Sequence, residues 1–299
     1  MNCLLFRTPP YDKNKTIPQF NGLSDGSVSF FDNGYTNISI NLDQKNNKIE
    51  ASVEGKNIEE YNYIYFFGQG NSRNREVAVA IANILKFKKI KFIDKNVILP
   101  KGGGKLLQMT LCATNDLPIP HTIFYSRDVL KTKFKELQKE LELPFILKTT
   151  NGSQGQEVFL IESENDFDSC CNKQFDPDVE FISQEFLPNH FDYRVLVLGG
   201  EMKCIETRTR QSSEKFRNNL AVGGIPEYIH DKSYPKELVT VSQNAAKLLE
   251  RDVAGVDVII DERNNKPYII EINPAPGHKP GSENEKALFN YLFNNTKNA

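Results

Sequence analysis

The sequence predicts an α+β protein that begins with a small α/β unit, and three observations lead there. Tyr61–Phe67 (YNYIYFF), a helix-period segment over Arg75–Phe87 and Ile90–Ile93 run β-α-β, the order of a small parallel sheet. Further along, short β segments come in pairs across turns: Pro144–Lys148 with Val158–Ile161, Asp192–Leu198 with Glu201–Arg208, and Val256–Ile260 with Tyr268–Ile272. The chain has 299 residues, enough for about two domains and a sizeable core.

In chain order, the first 60 residues are polar and rich in Asn, with a hairpin expected from Ile38–Asn41 and Lys48–Val53. Tyr61–Phe67 reads as a buried strand bounded by Gly68-Gln69-Gly70, a turn that lacks the third glycine of a dinucleotide fingerprint. Pro100–Gly104 marks a flexible joint, Lys105–Ala113 a short helix, and Leu117-Pro118-Ile119-Pro120 an extended entry to the next strand. Ser126 is placed to cap one helix running to about Leu143, with Asp128 in its first turn. After Lys148 comes Thr149–Gly155, a hairpin loop whose small residues suit a phosphate; a mobile tip would look the same, and no Walker lysine follows. Phe181–Leu187 (FISQEFL) is a strand ended by Pro188, and Gly199-Gly200 turns the next hairpin. Pro235 opens a helix to Glu250, and a last helix is expected over 283–291.

Gly255–Gly277 (GVDVIIDERNNKPYIIEINPAPG) is the stretch richest in chemistry. Side chains two apart on a strand share a face, so Glu271 and Asn273 point together, and an antiparallel partner brings Asp257 to them. Two close carboxylates repel unless a cation lies between them, and this hard oxygen set suits Mg²⁺ shared with nucleotide phosphates. Asp257 alone reads rather as a strand-end acid facing water; the acid and amide two apart, followed by Pro274-Ala275-Pro276-Gly277, favour the metal.

Composition narrows the classes. Net charge is −2, from 37 basic and 39 acidic residues, which offers no overall footprint for nucleic acid or an anionic membrane and leaves room for a local basic groove. The five cysteines show neither CxxC nor Cys/His ligand spacing, and the adjacent Cys170-Cys171 reads as reduced thiols. No leader and no run near 18 apolar residues is seen, so a cytoplasmic location is the default. His121, His190, His230 and His278 are scattered and carry no role, and Arg210 reads as a surface residue.

The ordered set resembles the ATP-grasp superfamily, most of all its RimK-like branch, the ribosomal-protein glutamate ligases. It runs Lys105, Lys148 before Gly-Ser-Gln-Gly, Gln-Glu-Phe, Asp192-x-Arg194, Arg208, Phe216-Arg217-x-Asn219-Leu220, Gly-Gly, Ala-Gly-Val-Asp257 and Glu271-Ile-Asn273-x-x-Pro-Gly. The match spans roughly Lys105 to Gly277. The resemblance implies an ATP-grasp fold, with 101–183 as lobe A with a phosphate loop and 184–299 as lobe B with the metal site; residues 1–100, outside the match, are expected as an N-terminal α/β domain, a substrate or partner module. ATP would lie between the lobes. Lys105 and Lys148 would meet the α- and β-phosphates, Lys148 also lying near adenine, and Ser153, Gln154 and Gly155 would close over phosphate. Gln184, Glu185, Phe186 and Leu187 would form the adenine hinge and Asp192 would accept from ribose. Arg208 would meet the triphosphate; Arg194, Arg217 and Asn219 would lie near the transferred phosphate and the acceptor; Asp257, Glu271 and Asn273 would hold Mg²⁺ or Mn²⁺.

The expected activity is ATP-dependent carboxylate–amine ligation through an acylphosphate, with a protein tail, a peptide or a free amino acid as acceptor. A phosphotransferase and a non-catalytic nucleotide-binding scaffold are the rival readings. The family often forms dimers or tetramers, so a homo-oligomer is a further expectation. The first hundred residues do not resemble the family's N-terminal module, and Glu157 follows loop positions that are often small.

Overall fold

The computed structural model describes residues 1–7, 13–46, 48–67, 72–98, 103–150, 157–173, 175, 179–209, 225–230, 234–277 and 281–299. Parallel strands β2 (Ser29–Asn33), β1 (Asn2–Arg7), β6 (Tyr63–Phe67) and β7 (Phe92–Ile93) form the first sheet in that spatial order. Its central strands are apolar at successive positions because both faces are covered. Leu4, Phe6, Ile64 and Phe66 pack with Ile81, Ala82 and Leu85 of helix α2 (Ser72–Lys88). Cys3, Leu5, Tyr63 and Tyr65 face the other way, onto Phe20 of α1 (Lys13–Leu23) and Leu288, Phe289 and Leu292 of α8 (Glu283–Lys297). The expected β-α-β unit is therefore half of a larger sheet. The expected hairpin is present as β3 (Ile38–Asp43) and β4 (Lys48–Val53), extended by β5 (Lys56–Asn57).

A second, antiparallel sheet follows α3 (Lys105–Ala113) in the order β10 (Val158–Ile161), β9 (Phe145–Thr149), β11 (Phe181–Glu185), β8 (Thr122–Phe124). Leu130, Phe134, Leu137, Leu141 and Phe167 cover it. The single helix expected from Ser126 to Leu143 is instead two, α4 (Arg127–Leu130) and α5 (Phe134–Leu141). Their buried residues keep helical spacing across the break, so periodicity gives no warning of it. The Thr132 hydroxyl donates to the Val129 carbonyl at 2.9 Å, a local bond that competes with continuing the helix. Helix α6 (Glu164–Cys171) opens on Ser163, whose hydroxyl accepts from the Asp166 amide.

The largest sheet is antiparallel, in the order β14 (Ile225–Tyr228), β13 (Glu201–Thr209), β12 (Phe191–Leu198), β15 (Val253–Asp261), β16 (Lys266–Asn273). One face, with Val195, Val197, Ala254, Val256 and Val258, packs on Leu238, Ala245 and Ala246 of α7 (Lys236–Leu248). The opposite face divides in two. Leu196, Leu198 and Val253 bury against the first sheet and α8, whereas Asp192 and Arg194, further back along β12, are polar. That polar half is the floor of the candidate site. Helix α8 runs to Lys297, beyond the expected end near 291, because Leu292 and Thr296 remain buried. All five cysteines are free thiols.

Candidate active site

Strand register sets the floor. Across the large sheet, Tyr228 lies opposite Glu206, Glu206 opposite Arg194, Arg194 opposite Asp257, and Asp257 opposite Glu271. Directly opposed residues share a face, so one row, a tyrosine and then four ionic side chains, crosses all five strands. Arg194 grips Asp257 as a fork: Nε donates to Oδ1 and Nη2 to Oδ2, each at 2.6 Å. Asn273 donates its Nδ2 to Asp257 Oδ2 at 3.0 Å, and Arg208 Nη1 lies 3.7 Å from Oδ1. Burial works to raise the Asp257 carboxyl, but Arg194, then Arg208 and Lys148, hold it below the usual carboxylate range. Burial likewise opposes the Arg194 charge, and Asp257 overrides it, raising that group.

The second sheet and α3 supply the other cations. Lys105, at the start of α3, places Nζ 3.5 Å from Glu271 Oε1. Lys148, on β9, donates Nζ to the Ile270 carbonyl at 3.1 Å. Asp257 pairs with Glu271 but Val258 with Ile269, so Ile270 is the extra residue of a bulge. Its carbonyl is left outside the ladder and meets the ammonium. Burial pushes the Lys148 ammonium from 10.5 down to about 8, against the pull of Glu271. Four cations (Lys105, Lys148, Arg194, Arg208) thus line one floor with the carboxylates of Glu206, Asp257 and Glu271, and Asp192 lies opposite Arg208 in the ladder. Arg208 is 3% exposed and its Nη2 has no hydrogen-bond partner among the described residues. A buried charged donor of this kind is costly unless a ligand takes it, and a polyanion would.

The donor chemistry fits a small hard divalent cation: two facing carboxylates and an amide two residues on, with phosphates to complete the shell. Among the described residues no three His, Cys, Asp or Glu side chains gather as a protein-only cage. Arg194 holds the place on Asp257 that such an ion would take.

Along the proposed hinge, Gln184 is buried and donates to the Thr122 hydroxyl at 2.7 Å. The Glu185 carboxylate accepts from the His121 amide at 3.1 Å and meets Arg263 at 3.5 Å; Phe186 is half-buried and Leu187 buried. Asp192 accepts from Asn189 at 2.8 Å and lies opposite Arg208 in the ladder. Ser153, Gln154, Gly155, Arg210, Arg217, Asn219 and Gly68-Gln69-Gly70 lie outside the described residues.

Two residues of the site escaped sequence reasoning. Gln108 donates to the Ile272 carbonyl at 3.2 Å and accepts from its amide at 2.9 Å, acting as a partner strand for the sheet edge. Glu206 sits within an ordinary strand pattern, and only the register shows that it joins the row. Gly255, by contrast, had a readable signal in its place before Val256-Asp257. A Cβ there would fall 2.6 Å from Pro276 Cβ, so glycine lets the Pro274–Gly277 segment close onto the strand.

Comparison with solved structures identifies the fold. The ATP-grasp ligase PsnB, solved with a phosphomimetic variant of its minimal precursor, Mg and ADP, aligns at a TM-score of 0.73 over 99% of this chain and 98% of its own, at 14% identity. The D-alanine–D-alanine ligase of Bacillus anthracis, complexed with ATP, aligns at 0.67 over 100% and 96%, at 15% identity. The fold is that of an ATP-grasp ligase. Residues 103–287 match the model of the RimK-like ATP-grasp domain, and the chain belongs to that family. Relatives include a probable alpha-L-glutamate ligase of Vibrio atlanticus, 28% identical over 69% of this chain and 68% of the relative. Another, from Shewanella loihica and of the same description, is 28% identical over 62% of this chain and 60% of its own length.

Proposed function

We propose that this chain is an ATP- and Mg²⁺-dependent ligase that joins a carboxylate to an amine. The carboxylate oxygen attacks the γ-phosphorus and ADP leaves. The amine nitrogen then attacks the acyl carbon of the acylphosphate, loses a proton, and phosphate departs as the amide forms. The observation that carries this reading is the gathering of four cations on one floor, three of them buried, including an Arg208 nitrogen without a hydrogen-bond partner among the described residues. Phosphoryl transfer passes through a state of spread negative charge, and positioned cations stabilise it better than a covalent catalyst would.

In this assignment Lys105 and Lys148 take the α- and β-phosphates, Arg208 the triphosphate, and Arg194 the transferred group. Gln184, Glu185, Phe186 and Leu187 border the adenine, and Asp192 accepts from ribose. Asp257, Glu271 and Asn273 hold the divalent ion, which supplies charge neutralisation along the phosphates. Mn²⁺ would suit the same oxygens. The phosphate loop at Ser153–Gly155, and Arg217 and Asn219 beside the acceptor, belong to the same proposal. A polypeptide acceptor is supported by PsnB and the macrocyclase MdnC of Microcystis aeruginosa, of like fold and both solved with precursor peptides; the D-alanine–D-alanine ligase of the same fold supports a free amino acid as the rival.

The test is ADP release. It should require both a carboxylate-bearing polypeptide and an amine, and collapse in Glu271→Ala. Phosphate appearing on the acceptor whatever amine is present would make the protein a phosphotransferase. Tight ATP binding without turnover would make it a scaffold.

A further inference from the structure

We infer that Glu206, braced by Asn284 of α8, is a positioning residue that aims the Arg208 guanidinium at the polyphosphate. The inference rests on the proposed role of Arg208 and adds two residues that do not themselves reach the ligand.

Glu206 is 2% exposed, and both its oxygens are engaged. Oε1 accepts from Arg208 Nε at 2.5 Å; Oε2 accepts from Asn284 Nδ2 at 2.9 Å and from the Tyr228 hydroxyl at 3.5 Å. A planar guanidinium held by Nε has its other edge fixed in direction. Here that edge carries Nη1, 3.7 Å from Asp257, and the buried Nη2, which has no partner among the described residues. Without the Glu206 contact, Arg208 could turn its fork onto Asp257, which already serves Arg194, and its remaining donors would no longer be held toward an anion.

The brace is itself oriented. The Asn284 Oδ1 accepts from the Cys204 thiol at 2.7 Å, so its amide nitrogen is the side left to face Glu206. Asn284 lies in the first turn of α8, next to Glu285, whose Oε2 accepts from the Gly281 amide at 2.6 Å and from Gln19 of α1 at 2.5 Å. The direction of Arg208 is thereby referred to a helix end outside the floor.

The experiment is a calorimetric cycle of Mg²⁺ with a non-hydrolysable ATP analogue on the full chain, over wild type, Glu206→Gln, Asn284→Ala, Arg208→Ala and the two doubles with Arg208→Ala. Thermal melts select variants that remain folded, and Asn284→Ala stands in should Glu206→Gln fail. Glu206→Gln and Asn284→Ala each weaken binding about tenfold. Neither costs anything further once Arg208 is gone, and affinity for AMP, which lacks the polyphosphate, is unchanged. Losses that add to that of Arg208→Ala, or no loss in either single variant, overturn the inference and leave the proposed function standing. A folded wild type that binds no adenine nucleotide overturns that function instead.

Discussion

Lys148 should give the site a pH signature with two opposite signs. Burial lowers its ammonium from 10.5 to about 8, and that fall corresponds to about 3 kcal/mol at 1.36 kcal/mol per decade. The folded protein therefore binds fewer protons than the unfolded chain between pH 8 and 10.5. The cost of burying the charge is fully present below pH 8 and is relieved as pH rises through that window, so this group makes the free protein more stable there. Nucleotide binding runs the other way. A phosphate beside Nζ favours the ammonium, so above pH 8 each bound nucleotide must take up a proton. Affinity then falls up to about tenfold per pH unit. The assay pairs thermal melts of the free protein with calorimetric titration of Mg²⁺·ATP analogue from pH 7 to 9.5. Lys148→Arg, which stays charged, should bind with a flat profile; Lys148→Met should lose the rise in stability. Wild-type affinity independent of pH across that range, matching Lys148→Arg, would refute the placement of Lys148 at the phosphates.

Three further outcomes are expected. Gly255→Ala puts a Cβ 2.6 Å from Pro276 Cβ, an overpacking that should cost about 1–3 kcal/mol in a melt and lower ligation by displacing the Pro274–Gly277 segment. Gln108→Leu leaves the Ile272 amide and carbonyl without their buried partner and should destabilise by about 1–3 kcal/mol per group, read as earlier hydrogen exchange at β16. Asp257→Asn should abolish magnesium-assisted nucleotide binding while leaving a folded protein, because the amide still accepts one bond from Arg194; unchanged dependence on magnesium would remove Asp257 from the metal site.

What could be read from the sequence depended on distance along the chain. The β15–β16 hairpin was legible because its partners are 14 residues apart at Asp257 and Glu271, and alternation alone puts Glu271 and Asn273 on one face. Its bulge was not, since Ile270 looks like any apolar strand residue, yet that insertion places Asp257 opposite Glu271 and frees a carbonyl for Lys148. Arg194 was legible as part of an Asp-x-Arg pair, but its fork on Asp257 spans 63 residues and needs the β12–β15 register. The first sheet was half legible. β6 announces itself by length and aromatics, whereas β1 is six residues long and β2 carries Asp32 and Asn33, with burial supplied by helices from both ends of the chain.

The edge of β16 ties these features together. An outer strand presents amides and carbonyls that must be met, and here they are met from across the cleft: Gln108 at Ile272, the Pro118 carbonyl at the Ile269 amide, and Lys148 at Ile270. The two neutral contacts lie on the sides of the bulge and have no reason to respond to an anion. The charged contact at its centre does, because a phosphate offers the ammonium far more than one carbonyl. Nucleotide arrival would thus exchange a single bond between the sheets and leave its flanks in place, so the sheets can adjust about β16 without separating. A lysine poised near pH 8, held by one carbonyl and flanked by fixed bonds, is suited to such an exchange in a way that a fully paired arginine would not be.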